Sequence, residues 1–149
     1  MKNLITKRFG PYPAAHRQHL HEGHCRFIHG HNWSFDITIG AQILDKNKFV
    51  VDFGKFADLR SQLADLFDHT LLVNSDDPER EFLKSLQVLG LAQVIFVDSG
   101  GAEGIAQLVY QVARQWLTFN YDQEGRGLSV QSVTVFEDDK NSATYIPEG

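Results

Sequence analysis

The sequence predicts an α+β fold in which an antiparallel sheet carries two long helices on one face. Apolar and polar residues alternate strictly over residues 31–41, as in a half-buried strand, and apolar residues recur at helical spacing over residues 53–67 and 102–119. The predicted order of elements is strand, strand, strand, helix, helix, strand. With 149 residues the chain has the length of one ordinary domain, so we expect a single domain over residues 1–149.

The N-terminal third is predicted to contain three strands. Residues 2–9 form the first, and the polar, histidine-rich stretch 10–30 is a loop. Residues 31–41 form the second strand, and a turn at 45–48 leads into a hairpin partner at 49–53. The face of the second strand that we expect to be buried carries Trp33, Phe35, Ile37 and Ile39.

The middle of the chain is predicted to be mainly helical. Asp52 is a suitable N-cap for a helix over residues 53–67. Residues 79–89 have the spacing of a short helix and residues 94–97 that of a short strand. We interpret the stretch 76–97, which contains both, as an insertion.

The C-terminal third is predicted to hold the second long helix and a further strand. Helical spacing continues over residues 102–119, and glycines at 125 and 127 then interrupt the chain. Residues 128–137 alternate again as a strand, and the tail after them is expected to add an edge segment.

Charge and composition limit the possible functions. The net charge of -5 argues against a nucleic-acid partner, and no apolar run approaches the roughly 20 residues that cross a bilayer. Residues 1–10 lack the apolar core of a signal peptide, so we expect a cytoplasmic protein without a membrane partner. Six of the seven histidines lie within the first 31 residues, where five basic residues accompany a single acid. This segment is where we expect the chemistry. Its basic residues are compatible with a small anionic ligand, although solvated basic side chains on a strand are the commoner explanation.

Three of these histidines are the candidate metal ligands. His29 and His31 are two residues apart, so both imidazoles project from one face of a strand, and His16 can supply a third. Three imidazoles leave tetrahedral zinc with one open position, which is typical of a catalytic site. The alternative is a surface His-x-His pair without a metal, but the crowding of histidines around a single cysteine favours zinc.

Four further residues are candidates for the chemistry around the metal. Cys25 can act as a thiolate base near the cation, or alternatively complete a closed structural site as a fourth ligand. Asp68 next to His69 can orient the imidazole for proton transfer, although neighbours in sequence need not touch. Glu137 ends an apolar strand, where its carboxylate could bind a donor-rich heterocycle or simply face solvent.

These residues together resemble the 6-pyruvoyl-tetrahydropterin synthase superfamily. The metal-binding region of that superfamily is similar to His16 followed by the run from Cys25 to Asn32. Its Leu-Asp-His…Leu-Asn motif resembles the stretch 67–74, and its C-terminal glutamate motif is similar to the segment that ends at Glu137. The resemblance covers nearly the whole chain in the right order.

The resemblance implies a tunnelling fold, with a four-stranded antiparallel sheet backed by two helices. It also implies a barrel assembled from several subunits, commonly a homo-hexamer, with active sites between them. By the same resemblance His16, His29 and His31 bind Zn²⁺. Cys25 and the pair Asp68 and His69 handle protons, and Glu137 binds the pterin ring.

The connection before the second helix departs from the family pattern. The family often has Pro-Thr-x-Glu there, whereas this chain has Gly-Gly-Ala-Glu ending at Glu103. The threonine is therefore missing, while Glu103 keeps the acid and remains a candidate substrate-binding residue. The stretch 76–97 is also longer than the usual connection.

The gap of three residues between Cys25 and His29 resembles the bacterial 6-carboxy-tetrahydropterin synthases. These convert 7,8-dihydroneopterin triphosphate to 6-carboxy-5,6,7,8-tetrahydropterin with release of acetaldehyde and triphosphate, and they feed 7-deazaguanine and queuosine synthesis. The first alternative is 6-pyruvoyl-tetrahydropterin synthase activity, which keeps all three side-chain carbons. Candidates for the phosphate contacts are Lys7, Arg8, Arg17 and Arg26.

Two readings from other classes stay open. A cupin-like oxygenase also uses His-x-His, but it needs a glutamate a few residues later, where this chain has Asp36, and long helices fit a cupin poorly. A non-catalytic, zinc-stabilised binding module would use Cys25 as the fourth ligand.

Overall fold

The computed structural model describes residues 2–148, which contain a six-stranded mixed sheet and three α-helices. The strands are β1 (Asn3–His16), β2 (His29–Ala41), β3 (Thr70–Asn74), β4 (Val94–Val97), β5 (Ser129–Phe136) and β6 (Ser142–Tyr145). The helices are α1 (Ala57–Phe67), α2 (Arg80–Val88) and α3 (Ala102–Tyr121). Short 3₁₀ turns occupy His24–Arg26, Phe53–Lys55 and Asp122–Glu124. Across the sheet the strands lie in the order β4-β3-β1-β2-β5-β6.

The long antiparallel pair β1 and β2 forms the centre of the sheet and ends with His16 opposite His29. β1 is irregular near Gly10, whose φ of +96° lies in the left-handed region. A Cβ on Gly10 would also approach the Trp33 carbonyl oxygen to 2.6 Å, so only glycine fits this bulge. The bulge lets the strand continue, which brings the first predicted ligand to the end of the ladder.

The core lies between the sheet and helices α1 and α3. The inward side chains of β2 are completely buried, as the alternation predicted. Helix α1 packs on β1 and β3, and α3 packs on β5 and β6. Both helices share one hydrophobic cluster with β2, so they cover the same face of the sheet. The helical side chains in this cluster include Leu59, Leu63, Phe67, Ile105, Val109, Ala113 and Trp116.

Most of the predicted elements are confirmed. The helix predicted over 53–67 is the 3₁₀ turn Phe53–Lys55 followed by α1, and Asp52 caps that turn by accepting a hydrogen bond from the Gly54 N–H at 2.8 Å. The other confirmed elements are α2, β4, α3, β5 and the edge segment β6.

The predicted loop over 10–30 is wrong at its beginning, because β1 continues through it to His16. Tyr12, Ala14 and His16 alternate inward along this extension and are buried. The polar residues that follow His16 led to the prediction of a loop for the whole stretch. The irregular stretch is confined to the segment between His16 and His29.

The predicted hairpin partner at 49–53 is also wrong. β2 pairs with β1 on one side and β5 on the other, and residues 49–53 form no strand. Asp45 instead folds this segment into a loop, since its Oδ1 accepts hydrogen bonds from the N–H groups of Asn47 and Phe49 at 2.8 and 3.0 Å.

The expectation of a four-stranded antiparallel sheet needs correction, since the sheet has six strands and is mixed. β3 runs parallel to the end of β1, and β4 runs parallel to β3. β3 was not predicted from the sequence, because all five of its residues are buried and it therefore lacks the alternation of a half-buried strand. Within residues 2–148, no helix is long and apolar enough to cross a membrane.

Candidate metal centre and active site

The three predicted histidine ligands meet at the end of the β1–β2 ladder. The register places His16 opposite His29 and Ala14 opposite His31, so the three imidazoles lie on one face. The Nε2 atoms of His16 and His29 are 3.1 Å apart. Together with Glu137, the three histidines each offer one ligand atom, and these four atoms lie within 4.8 Å of one another.

Backbone carbonyls fix the tautomer of two of the imidazoles. His16 Nδ1 lies 2.6 Å from the Gly100 carbonyl oxygen, and His29 Nδ1 lies 2.7 Å from that of Phe27. A carbonyl oxygen can only accept, so each Nδ1 must donate its proton. In the neutral imidazoles, both Nε2 atoms therefore carry lone pairs that face each other.

Two facing lone pairs repel unless a cation lies near both of them. Zinc with bonds of about 2.1 Å to nitrogen places two tetrahedral ligands about 3.4 Å apart, close to the 3.1 Å between His16 and His29. Nδ1–H groups that donate to carbonyls are also the usual outer partners of metal-bound histidines. The residues present thus fit a divalent transition metal that accepts nitrogen ligands.

His31 and Glu137 form the other half of the group. His31 Nε2 and Glu137 Oε1 are 2.8 Å apart. The pair lacks the geometry of a directed hydrogen bond, and His31 Nε2 is a buried atom without such a bond among the described residues. This unsatisfied nitrogen is a second indication that the cluster suits a cation. Glu137, predicted as a substrate-binding residue, is also close enough to be a metal ligand.

Burial keeps His16 in the neutral form that a metal needs. His16 is only 3% exposed, and desolvation lowers the pKa of its imidazole from 6.5 to about 4. The hydrogen bond to Gly100 opposes this shift, while His29 and His31 add to it. At neutral pH the His16 side chain is therefore an uncharged donor.

Trp33 supports the imidazoles from below. It is two residues beyond His31 on the same face of β2 and is completely buried. Its ring meets those of His16 and His31 edge-on at 5.1 and 5.3 Å, and its Nε1–H donates to the Ala14 carbonyl oxygen at 3.2 Å. Trp33 was predicted only as a core residue, although the spacing of His29, His31 and Trp33 already places all three on one face of the strand.

Asp68 and His69 contact each other, which their adjacency in the sequence left open. His69 Nδ1 lies 2.7 Å from Asp68 Oδ1, and both side chains are largely exposed. The backbone of His69 has a φ of +60°, and its N–H donates to the Pro13 carbonyl oxygen at 2.7 Å. This strained residue is thus held against β1, with the Nε2 atom left available for a ligand.

An open cavity of about 800 Å³ extends from His69 to His31 and Glu137 of the ligand group. His31, His69 and Glu137 all line it, so three of the predicted site residues share one cavity. The other side chains on its wall that carry charge are Arg8, Asp138 and Asp139. The volume is sufficient for a small heterocyclic ligand.

Cys25 and Glu103 lie outside this cavity wall. Cys25 is a partly buried residue of the turn His24–Arg26, and its carbonyl oxygen accepts a hydrogen bond from the Gln18 N–H at 2.7 Å. Its sulfur is not in the group of ligand atoms within 4.8 Å of one another. Glu103 is exposed in the first turn of α3.

Two of the four candidate phosphate-binding residues are already paired. Arg8 forms two hydrogen bonds with Asp36, at 2.6 and 2.8 Å, and Arg17 forms two with Asp77, both 2.7 Å. Lys7 and Arg26 instead lie over aromatic rings. The charged side chains on the cavity wall are acidic overall, since Glu137, Asp138 and Asp139 outnumber Arg8.

The comparison with protein families covers almost the whole chain. Residues 4–148 match the family described as 6-pyruvoyl tetrahydropterin synthase. The chain belongs to this family. Membership confirms the resemblance that the histidine, Asp-His and glutamate motifs indicated, and it does not support the oxygenase alternative.

Among curated relatives, the 6-carboxy-5,6,7,8-tetrahydropterin synthase of Rickettsia typhi is 41% identical over 69 residues, 46% of this chain. The match spans 50% of that relative's length. The synthase of the same name from Aquifex aeolicus is 25% identical over 130 residues, which cover 83% of this chain and 76% of that protein.

Solved structures share the fold. An uncharacterised protein from Wolinella succinogenes superposes with a TM-score of 0.83 at 20% identity, covering 99% of both chains. The 6-pyruvoyl tetrahydropterin synthase of Plasmodium vivax gives a TM-score of 0.71 at 15% identity, covering 97% of both chains.

Proposed function

We propose that this chain is a zinc-dependent lyase that converts 7,8-dihydroneopterin triphosphate to 6-carboxy-5,6,7,8-tetrahydropterin, releasing acetaldehyde and triphosphate. The observation that carries the proposal is the convergence of three imidazoles beside a cavity that is also lined by His69, whose ring is held by Asp68. Family membership supports a pterin substrate, and the name shared by the Rickettsia and Aquifex relatives supports the 6-carboxy product.

His16, His29 and His31 are the proposed zinc ligands. A zinc ion held there would supply Lewis acidity toward oxygen atoms of the substrate side chain. Burial of His16 and the carbonyl partners of His16 and His29 prepare these side chains before the ion arrives, since ring orientation and tautomer are already set.

Proton transfer is assigned to Cys25 and His69. Cys25, as a thiolate, removes a carbon-bound proton from the substrate side chain. His69 donates or relays protons through Nε2, because its Nδ1 is held by Asp68. The exposure of both Asp68 and His69 lets protons exchange with solvent between turnovers.

Glu137 is the proposed anchor for the pterin. Its carboxylate can accept hydrogen bonds from the ring N–H and amino group, and it lies at the start of the turn after β5. That turn is well ordered by Asp138, whose side chain accepts from the N–H groups of Lys140 and Asn141 at 2.9 and 2.8 Å. Glu137 therefore sits on a fixed backbone at the cavity wall.

We further propose that residues 1–149 act as one cytoplasmic domain with 76–97 as an insertion, assembled into a homo-oligomeric barrel, a hexamer by family resemblance. The open cavity and the position of Glu103 outside its wall fit a site that a second subunit completes. Light scattering of the purified protein measures the assembly, and a monomer at micromolar concentration would contradict it.

The experiment that tests the function is incubation of zinc-loaded protein with 7,8-dihydroneopterin triphosphate, with products identified by mass. A coupled alcohol dehydrogenase assay should show acetaldehyde forming in step with triphosphate release. Triphosphate release with all three side-chain carbons retained would replace the 6-carboxy proposal by the 6-pyruvoyl one. Zinc binding without any turnover would favour the non-catalytic binding module.

A further inference from the structure

Asn74 is a buried polar residue at the end of β3 that the proposed mechanism does not use. Its Oδ1 accepts a hydrogen bond from the Gly100 N–H at 2.7 Å. The contact joins two residues that are 26 positions apart and belong to the end of β3 and the β4–α3 connection. The Asn74 side chain therefore links this backbone loop to the end of β3.

The same Gly100 residue holds the most buried of the three imidazoles. Its carbonyl oxygen accepts the Nδ1–H of His16 at 2.6 Å. The position of that oxygen determines both the ring orientation and the tautomer of His16, and hence where the Nε2 lone pair lies. Asn74 thus acts on His16 by way of Gly100, without touching the imidazole.

The packing leaves little freedom at this point. A Cβ on Gly100 would approach Asn74 Oδ1 to 2.9 Å and His16 Cβ to 4.0 Å. The Asn74 backbone is also fixed, since its carbonyl oxygen accepts from the Asp77 N–H at 2.9 Å. Because the Asn74 backbone is held in place, its side-chain amide determines the position of Gly100, and not the reverse.

The other end of the amide is much less constrained. Asn74 Nδ2 lies 3.5 Å from Gln18 Oε1, a long contact that contributes little. The Oδ1 atom carries the interaction with Gly100, so a side chain that keeps an acceptor oxygen at this place should keep the effect. This difference separates a specific role from simple filling of space.

We propose that Asn74 is a positioning residue of the metal site, which sets the orientation of His16 by holding Gly100 in place. The inference rests on the proposed metal-binding role of His16, His29 and His31. Its consequence is that zinc affinity depends on a residue outside the ligand set, through an acceptor oxygen at position 74.

Zinc affinity, measured by competition with a chromophoric chelator, tests this role in three variants. Asn74→Ala removes the acceptor, and we expect a 10- to 100-fold loss of affinity, the size usual for outer partners of metal ligands. Asn74→Asp keeps an acceptor oxygen and loses only the Nδ2 donor of the long contact to Gln18. Its zinc affinity should therefore stay within about threefold of the wild-type value. Gln18→Ala, the matched control, removes the long contact to Nδ2 but leaves the Oδ1 acceptor of Asn74 in place, and should behave like the wild type.

An affinity equal to wild type in folded Asn74→Ala would overturn the proposal, as would equal losses in the Ala and Asp variants. Failure of the wild-type protein to bind zinc would instead overturn the proposed function. The arrangement itself is tested in metal-free wild-type protein by ¹⁵N-resolved NMR. The Nδ1-protonated tautomer of His16, with a hydrogen-bond coupling to the Gly100 carbonyl carbon, supports the proposal, and its absence overturns it even if Asn74→Ala does not fold.

Discussion

Replacing Asp77 should destabilise the fold far more than replacing Asp36, although both carboxylates form two hydrogen bonds with an arginine. The Asp77 side chain is 0% exposed and that of its partner Arg17 is 24% exposed. Asp77 also accepts a hydrogen bond from the Glu79 N–H at 2.9 Å. In the control pair, the side chains of Arg8 and Asp36 are 59% and 23% exposed.

The expected magnitudes follow from this difference in burial. Breaking a fully buried ion pair costs about 3–5 kcal/mol, and we take a lower value of about 2–3 kcal/mol because Arg17 keeps some contact with water. Breaking the exposed Arg8–Asp36 pair should cost less than about 1 kcal/mol. For a chain of this length, about 2–4 °C of melting temperature corresponds to 1 kcal/mol. Asp77→Ala should therefore lower Tm by roughly 4–12 °C and Asp36→Ala by at most about 4 °C.

The pH dependence gives an independent check. The hydrogen bonds from Arg17 lower the pKa of Asp77 below its ordinary value, and burial opposes them. A carboxyl with a depressed folded-state pKa stabilises the fold above its unfolded pKa, about 3.9, and the contribution disappears as the pH falls through the folded value. The stability difference between wild type and Asp77→Asn should thus be constant near neutral pH and shrink below about pH 4.

Thermal and urea unfolding, followed by circular dichroism in one state of metal loading, measure these effects. Equal destabilisation by Asp77→Ala and Asp36→Ala would refute the reasoning, because burial would then not decide the outcome. A difference between wild type and Asp77→Asn that persists unchanged well below pH 4 would show that the charge of Asp77 is irrelevant.

Three further predictions concern the site. His29→Ala should reduce bound zinc far below one ion per chain, whereas His21→Ala, in the same loop but outside the cluster, should bind normally; equal zinc content by metal analysis would contradict the ligand assignment. Cys25→Ser should keep its zinc and lose turnover, and loss of the metal would make Cys25 a ligand. Glu137→Gln should raise KM by an order of magnitude or more, since charge-assisted hydrogen bonds contribute about 1.5–3 kcal/mol each, while zinc content stays unchanged. Release of zinc from Glu137→Gln would show instead that this carboxylate is a ligand.

The part of the site that lies on the β1–β2 pair could be predicted from the sequence. Residues two apart on a strand share a face, so the spacing of His29 and His31 already implies convergence. Adjacency made a contact between Asp68 and His69 possible, and the structure shows it. Local periodicity carries this information because each of these relations is settled within one strand or one turn.

The outer partners of the ligands could not be predicted in this way. Gly100 is 84 positions from His16, and nothing in the sequence around either residue signals the contact. β3 was missed because a strand buried on both faces has no alternation, and its parallel pairing with β1 depends on where α1 ends. The false strand at 49–53 is the opposite error, since its apolar residues have the composition of a strand but Asp45 ties the backbone into a loop.

The stretch 76–97, which we interpret from the sequence as an insertion, is flanked at both ends by residues that contact the candidate metal site. Asn74 precedes it and Gly100 follows it, and Asp77 within it pairs with Arg17, the residue next to His16. These contacts are buried or partly buried, whereas the C-terminal end of α2 carries the exposed apolar residues Val88 and Leu89. The buried contacts are thus concentrated where β3 pairs with the end of β1 that carries His16. Substitutions at the C-terminal end of α2 should therefore be tolerated, whereas substitutions at Asn74, Asp77 or Gly100 should disturb the position of His16.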